Sequence, residues 1–425
     1  MTISKRLLAA LGLALTFICS LTAQTTTSPY SMYGYGLMRD GATSLQRQMG
    51  GVGYAMQSGR QINAMNPASY AAIDSLTFLW DIGADMSWNW RSETAADGSR
   101  TKGHGLGGGL DYVTMQFPLS KFMGMSVGLV PYSSVGYSFG DKIQHGSLSN
   151  QGTGGINQLY AGVAGTYKGF SLGANISYDF GNIINDTYAY TASGDQTLFE
   201  HVMQVRDFNF KLGAQYRAEI DRFSAVTVGV TYTPKLSLHG KTWAAFWNVT
   251  QESRADTVGY TKVGGKYYRP NTVGAGINYT RERTSRFMVE ADFTWQGWKD
   301  CAYPALKDDL GQTVVEAQTF NDRMRLAAGV EYVPRLRGNY LQRIAYRLGA
   351  NYTRDYLMIG SNSVKDYGIS AGLGFPTMEG KTIINLGFEW THRQSSPNTL
   401  IKEDYFSITL GLNFNETWFF KRKIK

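Results

Sequence analysis

Charge enters this sequence in steps of two. Glu290 and Asp292 alternate with apolar residues, as do Arg323 and Arg325, and the isolated Arg91, Arg206, Glu331, Arg347 and Glu389 stand in runs of the same kind. In an extended chain, residues two apart share a face. These side chains therefore form a charged set opposite a greasy one, able to pair with each other, to grip another piece of chain, or to line a polar path. Pairing, with each other and with a plug, is the expectation for them.

Catalytic groups are scattered. His104, His145, His201, His239 and His392 occur singly in predicted outer loops or at strand ends beside them, none next to a nucleophile, so solvated loop histidines are expected. No cysteine or histidine spacing fits zinc, and no glycine-rich phosphate loop precedes a helix. The triplet Gly107, Gly108 and Gly109 reads as strand that permits close approach. Neither catalytic residues, nor a metal, nor a cofactor are expected, and an enzyme is not the reading.

The elements that carry these residues follow from composition. Lys5 and Arg6, an apolar run over 7–18 and a small-residue exit over 21–23 describe a secretory signal, so the mature chain is expected to start at Gln24. Ile18 before Cys19 excludes a lipoprotein signal. Cys301 is then the one remaining cysteine, and no intramolecular disulfide is available. A formal charge of +8 falls to about +6 without the signal, which does not argue for nucleic acid. With 49 Gly, 27 Tyr, 21 Phe and 9 Trp against 17% charged residues, the chain reads as all-β. Past the signal no apolar run is long enough for a membrane helix.

From residue 75 onward the hydrophobic period is two. Phe78, Trp80, Ile82, Ala84, Met86, Trp88 and Trp90 share one face of the first run. Later runs repeat the pattern through Phe208, Phe210 and Leu212, through Phe287, Val289, Ala291 and Phe293, through Leu326, Ala328 and Val330, and finally through Phe406, Ile408 and Leu410. About fourteen such runs are present, joined by connections that alternate long and short: 92–105, 140–155, 182–197, 239–266 and 299–319 are long and polar, whereas 119–121, 168–169, 220–222 and 282–285 are tight. Even strand number, short turns on one side and long loops on the other predict an antiparallel transmembrane β-barrel. Trp88, Trp90, Tyr352 and Trp390 near strand ends fit the interfacial girdles.

Fourteen strands enclose a lumen too wide for wall side chains to fill, since about 8 strands already bring the interior to side-chain filling. The stretch 45–74 is poor strand material and is the candidate filling: Gly50, Gly51 and Gly53 cluster, and Asn66-Pro67-Ala68 stands just before the first strand. In the third strand, Pro131 removes a ladder donor and Gly136 follows closely, so a kink or local opening toward a neighbour is predicted there. The closing residues 416–425 read as an aromatic and basic periplasmic tail at the interface.

Gly50-Gly51-Val52-Gly53-Tyr54-Ala55 followed by Asn66-Pro67-Ala68-Ser69 resembles the N-terminal hatch of the FadL/TodX family of outer-membrane transporters. The resemblance implies a bacterial outer-membrane barrel plugged by a hatch over 24–74, between a signal over 1–23 and a barrel over 75–415, with outer-membrane lipid and lipopolysaccharide around it. It also implies passive uptake of hydrophobic small molecules, of the long-chain fatty acid or aromatic type, which leave sideways at a kink; Pro131 and Gly136 match that position. The aromatic opening over 28–36 resembles a Bacteroidetes-type branch. That likeness implies the alternative, a scaffold that docks secreted proteins or a secretion-system partner.

Overall fold

The computed structural model describes residues 26–94, 99–143, 146–191, 196–249, 255–263, 266–301, 303–309, 312–377 and 382–417. The expected signal over 1–23 and the tail from 418 lie outside the described residues.

Among the described residues, fourteen antiparallel strands close on themselves. They are β1 (Thr77–Thr94), β2 (Arg100–Ser120), β3 (Met123–Ile143), β4 (Gly146–Tyr167), β5 (Phe170–Thr191), β6 (Gln196–Asp221) and β7 (Ser224–Thr233), then β8 (Thr272–Glu282), β9 (Arg286–Gln296), β10 (Arg323–Val333), β11 (Ala345–Ile359), β12 (Asn362–Pro376), β13 (Thr382–Ser396) and β14 (Ile401–Thr417). Each strand pairs with its neighbours in sequence, and β14 returns to β1 from Thr77↔Thr417 to Glu93↔Ile401. Closure gives every strand two partners, which is what lets a sheet stand in hydrocarbon.

The period of two is the wall. Phe208, Leu326, Leu348 and Ile369 are more than half exposed on the outside, while Asp81, Glu290, Arg325 and Arg347 are buried on the inside. Arg206 departs from the expectation. It is exposed, in the outward phase of Phe208 and opposite Phe180, and so does not belong to the lumen-facing charges.

Strand lengths are unequal. β7 to β10 have 10 or 11 residues, enough to cross about 30 Å of hydrocarbon on a tilt. β3 to β6 have 21, 22, 22 and 26 residues and rise well beyond it. The long connections expected as loops over 92–105, 140–155 and 182–197 are therefore mostly strand. Residues 239–266 add another hairpin, Gly240–Val249 with Ala255–Lys262, stacked on the upper part of β6 from Gly240↔Val205 to Val249↔Gln196. Sequence reading missed these because a ladder standing in water needs no apolar face; its backbone pairing leaves no periodic signature.

One junction in the wall is incomplete. The β2–β3 ladder starts at Ser120↔Met123 and ends at Val113↔Leu129. Above that level β2 pairs with β1 as far as Arg100, and β3 pairs with β4 as far as Ile143, across a register shift between Pro131 and Ser133. The two strands thus part just below Pro131, whose nitrogen has no hydrogen to donate.

The lumen is filled by the chain's own start. From the outer end inward come a 3-10 turn (Pro29–Met32), a two-residue strand (Leu37–Met38), the helix α1 (Ser44–Gln48) and a second 3-10 turn (Pro67–Ala72) that leads to β1. α1 begins with a capping box in which Thr43 and Gln46 satisfy each other's backbone amides. At the outer end, Tyr30 and Tyr35 enter a buried aromatic cluster with Trp298, Tyr303, Phe320 and Tyr356.

Candidate functional site: the hatch and its seat in the barrel wall

The predicted plug residues lie together on the wall. Asn66 caps the second 3-10 turn, its Oδ1 accepting from Ala68 N at 3.0 Å and its Nδ2 donating to Tyr54 O at 2.6 Å. Pro67 occupies the first position of the turn, where its missing N–H is no loss. Ala68 is fully buried. The wall makes room with glycines: a Cβ on Gly213 would lie 2.1 Å from Asn66 Oδ1, and one on Gly173 would lie 2.5 Å from the Pro67 carbonyl carbon.

Higher up, Gly50 and Gly51 have φ of +73° and +77°, left-handed values that glycine takes without strain. They follow α1 and turn the chain against β10 and β11. A Cβ on wall residue Gly349 would fall 2.1 Å from Gly50 N. Inward-facing glycines are thus docking positions, and the signal for them was present in the sequence: glycine in the polar phase of a strand.

The alternating charges grip this turn by its backbone. Arg325 donates to the carbonyls of Gly50 and Gly51. Asp292 Oδ2 accepts from the amides of Gly53 and Tyr54 at 2.7 and 3.0 Å, and Glu290 Oε1 accepts from Ala55 N at 2.9 Å. Asn278 donates to the other Glu290 oxygen at 2.8 Å. Ser370 completes the cradle, its Oγ accepting from Gly50 N at 2.8 Å and donating to Gln48 O at 3.1 Å.

Ion pairs hold α1 and the segment before it. Arg47 reaches Asp111 at 2.8 Å, Glu389 at 3.3 Å and Asp85 at 3.5 Å. Arg347 donates to Gln48 and to Glu331, both at 2.7 Å. Asp40 receives both Nη atoms of Arg323, at 2.8 and 3.2 Å, and lies 3.3 Å from Arg325 Nε. Burial works to raise the Asp40 carboxyl, but the two guanidiniums outweigh it and hold it well below the usual carboxylate range. Arg91 donates to Thr27 O at 3.0 Å, near the chain start.

Pro131 and Gly136 lie where β2 and β3 diverge, and here the hatch lines the gap from inside. Leu37 and Met38 pair with Ser134 and Ser133 of β3. Gly136 N donates to Ser31 Oγ at 3.0 Å, and a Cβ on Gly136 would be 2.0 Å from Thr26 O. A cavity of about 300 Å3 opens at this level, lined on one side by Leu110 and Asp111 and on the other by Pro131 and Ser133, with Arg39 and Asp85 behind. A second, of about 200 Å3, lies next to it among Asp40, Arg47, Asp85 and Arg323.

Of the histidines, His201 departs from the expectation of a solvated ring. Its Nε2 is buried in β6 without a hydrogen-bond partner, whereas His239 and His392 face Asp207 and Asp404 at 3.2 and 2.9 Å. Sequence reading also missed the outer lid of Trp298, Tyr303, Phe320 and Tyr356: Tyr303 lies in the predicted loop over 299–319, Trp298 and Phe320 flank it, and the four acquire a core only when Tyr35 arrives among them.

The sequence matches the profile of the BamG family over residues 3–425. The chain belongs to the BamG family. Among curated proteins none matches it. Solved structures similar to this BamG-family barrel include the P. putida toluene transporter TodX, at 15% identity and a TM-score of 0.63 over 89% of this chain and 99% of that one. A Pseudomonas aeruginosa FadL homologue is 12% identical with a TM-score of 0.59, over 90% and 100% of the two chains. The monoaromatic hydrocarbon channel CymD is 13% identical with a TM-score of 0.56, over 88% and 98%. At such identities the likeness is one of fold: a closed outer-membrane barrel. Its cellular place is the bacterial outer membrane.

Proposed function

We propose that this BamG-family barrel is a hatch-gated outer-membrane channel for hydrophobic small molecules, of the long-chain fatty acid or aromatic type, moving passively down a gradient. The observation that carries the reading is the parting of β2 from β3 with a cavity behind it. A molecule in that cavity has a sideways route into lipid that crosses no β2–β3 ladder hydrogen bond. The names of the similar structures, a toluene transporter and a monoaromatic hydrocarbon channel, support it by fold. Gly50, Gly51, Gly53, Asn66, Pro67 and Ala68 are assigned to plugging and gating, and Pro131 and Gly136 to the lateral opening. The test is passage of a fluorescent fatty acid or an aromatic probe into liposomes holding the folded barrel. Rates equal to those of empty liposomes sink the proposal.

A second reading has an observation of its own. The lumen is closed twice, by an ion-paired hatch and by an aromatic lid, and charged side chains line the inner cavity. A barrel so filled also suits a scaffold whose tall β3–β6 wall docks secreted proteins or a membrane complex. Affinity isolation from native membranes separates the two, because a scaffold brings a stoichiometric partner and a channel does not.

A further inference from the structure

Three turns on the periplasmic rim are tied into one plate. The β8–β9 turn bonds to the β6–β7 turn through Glu282 N to Phe223 O at 2.8 Å, and Arg283 lies 5.2 Å from the Phe223 ring. The β10–β11 connection bonds to the β8–β9 turn through Leu336 N to Thr284 O at 2.9 Å. Over 217–223, 281–286 and 335–343 the plate carries eight arginines against Glu219, Asp221 and Glu282, and no lysine. Most of these guanidiniums have no carboxylate close by: among the described residues Arg286 alone of the eight is within ion-pair distance of one.

The β10–β11 connection also exposes apolar groups at the same level. Leu341 is 67% and Tyr340 43% exposed, in a short helix (Tyr340–Arg343) with Arg343 over the Tyr340 ring at 5.9 Å. Tyr346, an outward side chain of β11, donates to Leu341 O at 3.2 Å, which folds the connection over the lipid-facing side of the barrel and not under its lumen. An exposed leucine and tyrosine on a connection tied to an outward tyrosine, with arginines beside them, match a headgroup-depth interface, where rings and aliphatic chains enter the acyl boundary and guanidiniums meet phosphate.

We propose that this plate is a binding surface for anionic phospholipid headgroups of the periplasmic leaflet, with Arg335, Arg337 and Arg343 contacting the phosphates. A purely solvated charged face would not expose Leu341 and Tyr340 among its arginines. The proposal does not depend on what the lumen passes.

The full-length mature barrel in nanodiscs of phosphatidylethanolamine mixed with either phosphatidylglycerol or phosphatidylcholine tests it, by native mass spectrometry of the lipids that the ejected protein retains. Wild type is expected to retain phosphatidylglycerol in several-fold preference. Each charge near an anionic surface contributes roughly five-fold, so R335Q/R337Q/R343Q should abolish the preference. R335K/R337K/R343K should keep most of it. K121Q/K168Q, which changes two other periplasmic turns, should leave it intact. A wild type without preference, as expected if the plate serves an acidic soluble protein, overturns the proposal, and so does a triple glutamine variant that retains lipid like wild type.

Discussion

Asp40 meets two buried guanidiniums at the edge of the inner cavity, and removing one member of such a group strands the others. Breaking a buried pair costs about 3–5 kcal/mol because a charge is left uncompensated. Asp40→Asn should therefore loosen the hatch while the barrel ladder persists: amide exchange over 37–55 is expected to speed up by orders of magnitude, with β1 to β14 unchanged. The pH dependence has a definite sign. A carboxylate held below its usual value stabilises fully above the unfolded value of about 3.9 and loses that contribution only as pH falls through the lower folded value. Hatch protection at Asp40 should thus be flat from pH 8 to about pH 5, and its loss should begin below about pH 4. The acceptors on β9 act separately. Asp292→Leu leaves the amides of Gly53 and Tyr54 buried without an acceptor, at about 1–3 kcal/mol each, and exchange at those two amides is the measurement.

The elements that matter most are the β2–β3 junction and the glycine positions opposite the hatch. Gly349→Leu would drive a side chain into the Met49–Gly50 backbone, which a Cβ alone already approaches to 2.1 Å. The expected outcome is a folded barrel with an expelled hatch, seen as new protease cleavage within 44–66 and unchanged heat-modifiable migration of the barrel. Pro131→Thr returns a ladder donor to β3. If probe leaves through the junction, this variant should pass fatty acid several-fold more slowly in liposomes while folding as wild type. Passage at the wild-type rate would place the exit elsewhere.

For the molecule as a whole, wall and filling are separable. The barrel closes through β1 and β14 from Thr77 onward and needs no hatch residue to complete a ladder. Deleting residues 26–73 should leave a heat-modifiable barrel that conducts ions steadily in planar bilayers, whereas the intact chain stays mostly shut. The unequal wall has a counterpart consequence: hydrocarbon is matched by 10 or 11 residues on the β7–β10 side, so the upper halves of β3 to β6 stand outside lipid and should accept polar substitutions that the lower halves reject.

Much of this barrel was legible before folding because a membrane wall imposes a strict period. Outward residues must be apolar and inward ones need not be, so Phe78 to Trp90 and Phe406 to Leu410 announce strands, and Asn66-Pro67-Ala68 and Gly50 to Gly53 announce the one segment that cannot be wall. The alternation also put Glu290, Asp292, Arg323, Arg325 and Arg347 on the inner face. What they touch was not legible, since a charge two residues from another says nothing about a chain segment some 240 positions away. Only the tertiary structure decided that Asp292 holds two hatch amides, that Gly349 is a seat, and that Tyr35 makes a core with Trp298. Those contacts depend on how the hatch is threaded through the lumen, and the threading is fixed by three-dimensional complementarity between glycine-lined wall and turn, which has no periodicity to leave in the sequence.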